Sequence, residues 1–153
     1  KMPGILYVVA TPIGNLADAS PRSLEVLRGV DLVACEDTRT TRTLLGHYGI
    51  STRTVALHEH NERAAAPGLI AALREGQSIA LVSDAGTPGV ADPGALLVAE
   101  AHRADIRVSA VPGPSAAAAA FSAAGFAAPG YRFAGFLAAS GAAPRKAVDS
   151  RSA

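Results

Sequence analysis

Cysteine is almost missing from this sequence. Cys35 stands alone, so an intrachain disulfide framework and a cysteine metal cluster are both excluded. It lies in the apolar run 31–35 and reads as a small core residue. Charge of one sign is missing too: 14 Lys and Arg stand against 13 Asp and Glu, a net charge of +1. A compact duplex-binding domain carries a far stronger basic footprint. An enzyme acting on a structured ribonucleoprotein can concentrate its basic groups elsewhere, so the charge leaves an RNA substrate open. No apolar run is long enough to span a membrane. Lys1-Met2 leads at once into a strand-like segment, with no signal-peptide pattern, and we read the chain as cytoplasmic.

The common nucleotide motifs are missing as well. No G-x-G-x-x-G follows the first apolar run, where 11–16 (TPIGNL) holds one glycine, Gly14. No G-x-x-x-x-G-K-[ST] occurs anywhere. Both absences argue against an NAD enzyme and against a P-loop NTPase. What is present is a globular composition, 49% hydrophobic and 18% charged, at the length of one domain.

Short β-rich runs alternate with helical patterns. Strands are predicted at 5–10 (ILYVVA), 31–35, 54–57, 78–82 and 107–111. Helices are predicted at 20–29, capped by Ser20 with Pro21 first; at 40–48, ending on Gly49; from Pro67 to near Gly76; at 94–103; and at 115–124. A further extended segment is read at 131–137. This alternation predicts an α/β fold with a doubly wound parallel five-stranded sheet. In such sheets ligands bind beyond the carboxyl ends of the strands. The five loops at those ends are 11–16, 36–39 (EDTR), 58–63 (HEHNER), 83–94 (SDAGTPGVADPG) and 112–115 (PGPS), and they are expected to share one rim.

Loop 83–94 is long for a strand-to-helix link, where 2–6 residues are usual. Its Gly and Pro residues suit a preshaped loop that offers backbone groups to an adenosine or amino-acid moiety. A tight structural connection is the alternative. Glu36, Asp37 and Arg39 have the chemistry to polarise a hydroxyl, bind a ribose or hold a phosphate. They equally fit a capping cluster, with Asp37 or Thr38 as N-cap. His58 and His60 supply only two ligands of a metal site, and only His47 is available besides, so we expect no metal. The loop suits substrate contact, with a His as base, or is simply solvated. The helix start after Pro114 leaves N–H groups for an anionic or polar ligand group, or is only a capped helix.

Taken in order, LYVVATPIGNLAD, EDTRTT, HEHNE, VSDAGTPGVADPG and VPGPSA resemble the tetrapyrrole-methylase superfamily over about residues 4–137. Within it they resemble the branch that 2′-O-methylates a cytidine of small-subunit ribosomal RNA. The resemblance implies two α/β domains with S-adenosylmethionine in the cleft between them, homodimers, and small-subunit ribosomal RNA or the assembled subunit as partner. It implies cofactor contacts at Gly86, Thr87, Pro88 and Val90, at Ser115 and Ala116, and at Ala10, with Asp84 and Ala85 beside them. Catalysis is expected from Glu36, Asp37, Arg39, His60 and Asn61, with Glu36 or His60 as base and Arg39 on phosphate. Residues 1–137 are then the cofactor-binding domain, and 138–153 a linker or the truncated start of a second domain. A tetrapyrrole methyltransferase of the same fold is the alternative; the polar loops 36–39 and 58–62 favour RNA. A non-catalytic fragment that binds a small molecule or dimerises is another.

Overall fold

The structure, a computed structural model, describes residues 2–90 and 93–136. The strands are β1 (Ile5–Val9), β2 (Leu32–Cys35), β3 (Thr54–Ala56), β4 (Ile79–Val82) and β5 (Arg107–Val111). The helices are α1 (Pro21–Gly29), α2 (Thr38–His47), α3 (Glu62–Arg74), α4 (Ala95–Arg103) and α5 (Ala116–Ala124). The strands form one sheet in the order β3-β2-β4-β1-β5, with every pairing parallel.

Period-two alternation sends successive strand residues to opposite faces. In β4, Ile79 and Leu81 join the core under α3 and α4, with Ala66, Leu69, Ile70, Leu73, Leu97 and Ala101. Ala80 and Val82 join the other core, with Leu27 of α1 and Leu45 of α2. β2 divides in the same way, Leu32 and Ala34 against Val33 and Cys35. Both faces of the central strands are therefore covered, and the sheet is doubly wound. The spacing of Ala66, Leu69, Ile70 and Leu73 puts one apolar stripe of α3 on the sheet.

The structure departs most from the sequence reading at three places. α2 begins at Thr38, two residues before the expected start, because the Asp37 carboxylate accepts the Arg39 N–H as N-cap. Pro67 lies inside α3 and does not open it. It sits exposed on the solvent side, where the carbonyl left without its N–H can turn to water. Residues 131–136 join no ladder, and Leu137, the end of that expected segment, lies outside the described residues with the expected linker 138–153. α5 departs in another way: it is apolar almost throughout, yet none of its residues is buried. Among the described residues no helix is long and apolar enough to cross a membrane.

Candidate functional site

Because every strand runs parallel, all five following loops leave from one edge of the sheet. Loop 83–94 binds them together. Its Gly86 N–H donates to the Thr11 carbonyl and the Thr11 N–H to the Gly86 carbonyl, both at 3.0 Å. The Asp84 Oδ1 accepts the Asp37 N–H at 3.1 Å. The Thr87 hydroxyl donates to the Pro114 carbonyl at 3.1 Å. The Gly94 N–H donates to Glu62 Oε1 at 2.9 Å.

Two glycines permit this closeness. Gly86 has φ +80°, and a Cβ there would stand 3.3 Å from Ile13 Cγ2. At Gly113 a Cβ would press to 2.9 Å from the Ala10 Cβ, so the 112–114 turn lies directly on the end of β1.

The antiparallel Thr11–Gly86 bridge joins the loops that follow the adjacent β1 and β4, and a cleft opens on each side of it. Toward β5 lies a cleft of about 290 Å³, where Ala85, Gly86, Thr87, Val90, Ser115 and Ala116 all come together. Ile13, Phe133 and Phe136 give it apolar walls. Ser115 caps α5 by accepting the Ala118 N–H, which leaves the first N–H groups of that helix without intrahelical acceptors. Toward β2 lies a cleft of about 360 Å³ bounded by Thr11, Pro12, Leu16, α2 and Asp84. The Tyr48 hydroxyl donates to the Leu16 carbonyl and ties that wall to α2.

The other expected cofactor contacts stand apart. Ala10 is buried behind Gly113, and Pro88 is buried as well. Asp84 belongs to the cleft beside α2.

The expected catalytic residues divide between two places. Glu36, Asp37 and Arg39 stand at the end of β2, beside Asp84. Asp37 serves as N-cap, and its carboxylate also accepts from Arg39 Nε at 3.2 Å and Nη2 at 3.0 Å. Those Arg39 bonds hold the Asp37 carboxyl below its usual range. The Arg39 side chain, 88% exposed, meets solvent at the same time. His60 and Asn61 follow β3, the far edge strand. From there to β1 is three strand spacings, about 14 Å. Asn61 is occupied in shaping its own loop: Oδ1 accepts the His58 N–H at 2.7 Å and Nδ2 donates to the Ala56 carbonyl at 3.0 Å. His60 is exposed and pairs with Glu59 at 3.4 Å. Among the described residues no group of three His, Cys, Asp or Glu is placed to hold a metal ion. Cys35 is buried, and burial pushes its thiol pKa up.

Sequence reasoning missed four participants. Thr11 is buried with its hydroxyl unpartnered, and nothing in TPIGNL singles it out. Phe133 and Phe136 return to the rim from a segment without regular structure. Glu62, the first residue of α3, caps α4, accepting from Gly94 and Leu97 N–H. The signal for the last was available: a helix starting on glycine has no side-chain cap of its own.

Comparison with known proteins agrees with this architecture. The chain is 61% identical over 132 residues to a ribosomal RNA small subunit methyltransferase I of Mesorhizobium japonicum, covering 86% of this chain and 45% of that protein. It is 54% identical over 145 residues to the protein of the same name from Escherichia coli O157:H7, covering 95% and 51%. The chain thus spans about half the length of the curated relatives it matches. A crystal structure of uroporphyrin-III-C-methyltransferase from Thermus thermophilus superposes with a TM-score of 0.63 at 27% identity, covering 81% of this chain and 54% of that one. Residues 5–152 match the family of tetrapyrrole (corrin/porphyrin) methylases. With its parallel sheet, its bridged rim loops and a match over nearly its whole length, the chain belongs to the tetrapyrrole methylase family.

Proposed function

We propose that this chain is the cofactor-binding part of an S-adenosylmethionine-dependent methyltransferase, acting in the cytoplasm on a cytidine ribose hydroxyl of small-subunit ribosomal RNA. Residues 1–137 form the cofactor-binding domain, 138–153 lead toward a second domain, and the working enzyme is a homodimer. The observation that carries this reading is the cleft beside β5, where the Gly86 loop meets the start of α5. The names of the relatives support the substrate.

The residues present fit the cofactor. Ile13, Val90, Phe133 and Phe136 offer apolar surface suited to an adenine. The N–H groups of Ala116 and Ala117 at the start of α5 suit a carboxylate. The Gly86 cradle brings backbone close, in space a Cβ would take. When bound, S-adenosylmethionine supplies an electrophilic methyl group on a sulfonium.

The protein's own part is to orient the acceptor hydroxyl and take its proton. Of the two expected bases, Glu36 takes this role. It stands at the end of β2, next to β4 and its loop, whereas His60 is a strand further out. Asp37 holds the start of α2 and Arg39 together, so that Arg39 presents its exposed guanidinium to phosphate. Asn61 shapes the loop that carries His60. Calorimetric titration with S-adenosylmethionine tests the reading, with Gly86→Val and Phe133→Ala as variants of the cleft. Saturable binding that both variants weaken tenfold or more is the expected result. No binding by a chain with a cooperative melt would overturn cofactor binding by this domain.

A further inference from the structure

The cleft between loop 11–16, α2 and loop 83–94 is not used by the cofactor reading, and its chemistry differs from that of its neighbour. Thr11 is 3% exposed, and its Oγ1 is buried without a hydrogen-bond partner. A buried unpartnered hydroxyl is costly, and native structures keep few of them. Asp84 stands at the same cleft with one carboxylate oxygen fixed by the Asp37 N–H, which leaves Oδ2 for a ligand. Thr40 adds a further hydroxyl. Leu16, held by Tyr48 through its carbonyl, and Leu44 supply apolar surface.

A carboxylate among neutral hydroxyls repels a phosphate and accepts hydrogen bonds from an uncharged polyol. Apolar side chains beside it suit the face of a base. The cleft, about 360 Å³, opens on the same edge of the sheet as the cofactor cleft, across the Thr11–Gly86 bridge. A polymeric acceptor reaching one can therefore lay a neighbouring unit in the other.

We infer that this cleft is a ribonucleoside subsite that seats one nucleoside of the acceptor RNA, with its ribose hydroxyls on Asp84 and Thr11. The inference rests on the methyltransferase reading for the identity of the acceptor, but its test does not depend on turnover. The probes are cytidine and 2′-deoxycytidine at millimolar concentration, added to the 153-residue chain and followed by methyl NMR. Cytidine shifts the methyl signals of Thr11, Leu16 and Leu44, and 2′-deoxycytidine binds at least threefold more weakly. Thr11→Val removes the hydroxyl and keeps the shape. It weakens cytidine binding fivefold or more, leaves the affinity for S-adenosylmethionine unchanged, and does not lower the melting temperature. Asp84→Asn keeps the acceptor for the Asp37 N–H and weakens cytidine tenfold. If cytidine leaves these methyls unmoved, or binds Thr11→Val as tightly as the parent, the subsite is refuted. Such a failure with S-adenosylmethionine binding intact leaves the methyltransferase reading standing. Cytidine binding without S-adenosylmethionine binding supports the subsite and overturns cofactor binding by this domain.

Discussion

Replacing Glu62 with alanine should loosen α4 although Glu62 is not part of that helix. Its Oε1 accepts from the Gly94 N–H at 2.9 Å and the Leu97 N–H at 3.3 Å, at a helix start whose N-cap is glycine. Loss of a side-chain N-cap costs about 1 kcal/mol and up to ~2. The negative charge at the positive end of the helix contributes ~0.3–1 kcal/mol more. Water reaches this half-buried site and recovers part of the loss, so we expect about 1–2 kcal/mol for Glu62→Ala. At ~2–4 °C per kcal/mol for a chain of this size, that lowers Tm by about 2–8 °C. Glu62→Gln keeps an acceptor oxygen and loses the charge, and should fall between the parent and the alanine variant. Urea unfolding followed by circular dichroism gives the free energies, and hydrogen exchange at Leu97 and Val98 locates them. A Glu62→Ala chain within about 0.3 kcal/mol of the parent, with exchange unchanged at those amides, would refute the capping argument.

Three further outcomes are expected. Leu73→Ala, at a fully buried position between α3 and the sheet, destabilises by about 2–5 kcal/mol in the same urea assay. Asp37 titrates below the ordinary carboxylate range because of Arg39, so the pair favours the folded state above that range and loses this contribution as pH falls through the depressed value. In Arg39→Ala the Asp37 carboxyl carbon should titrate nearer the ordinary range by NMR; an unmoved midpoint would contradict the assignment. Cys35 is fully buried and its thiol pKa is raised, so Ellman's reagent should label it only as fast as the chain unfolds in urea.

Much of the fold was legible because local signals and tertiary demands agree. β5 matches its expected limits, and α1 begins where Ser20 and Pro21 say it should. The sequence misleads where a distant group decides. Pro67 resembles a helix opener, but α3 starts five residues earlier at Glu62, where the carboxylate is committed to α4. The rim was legible as a set of five loops, while its partition was not. Asp84 and Ala85 are neighbours in the chain and face different clefts, which follows only once β4 is known to lie between β2 and β1. Ala10 and Gly113 meet for the same reason, since β1 lies beside β5. No periodicity in a single sequence encodes that order.

The position of β1 in the sheet has a kinetic consequence. Leu6 pairs with Ile79 and Val108, so β1 waits for partner strands made much later in the chain. At ~5–20 residues per second, the roughly hundred residues between Leu6 and Val108 take about 5–20 s to synthesise. Through that interval the ILYVV segment, apolar and rich in β-branched residues, lacks β5 on one edge, and until β4 is made it lacks a partner on both. Such segments seed intermolecular pairing. Long-range parallel pairing of this kind also slows folding after release. The strand that anchors both clefts is thus the one most exposed to aggregation during synthesis, and slower translation between β1 and β4 lengthens its exposure.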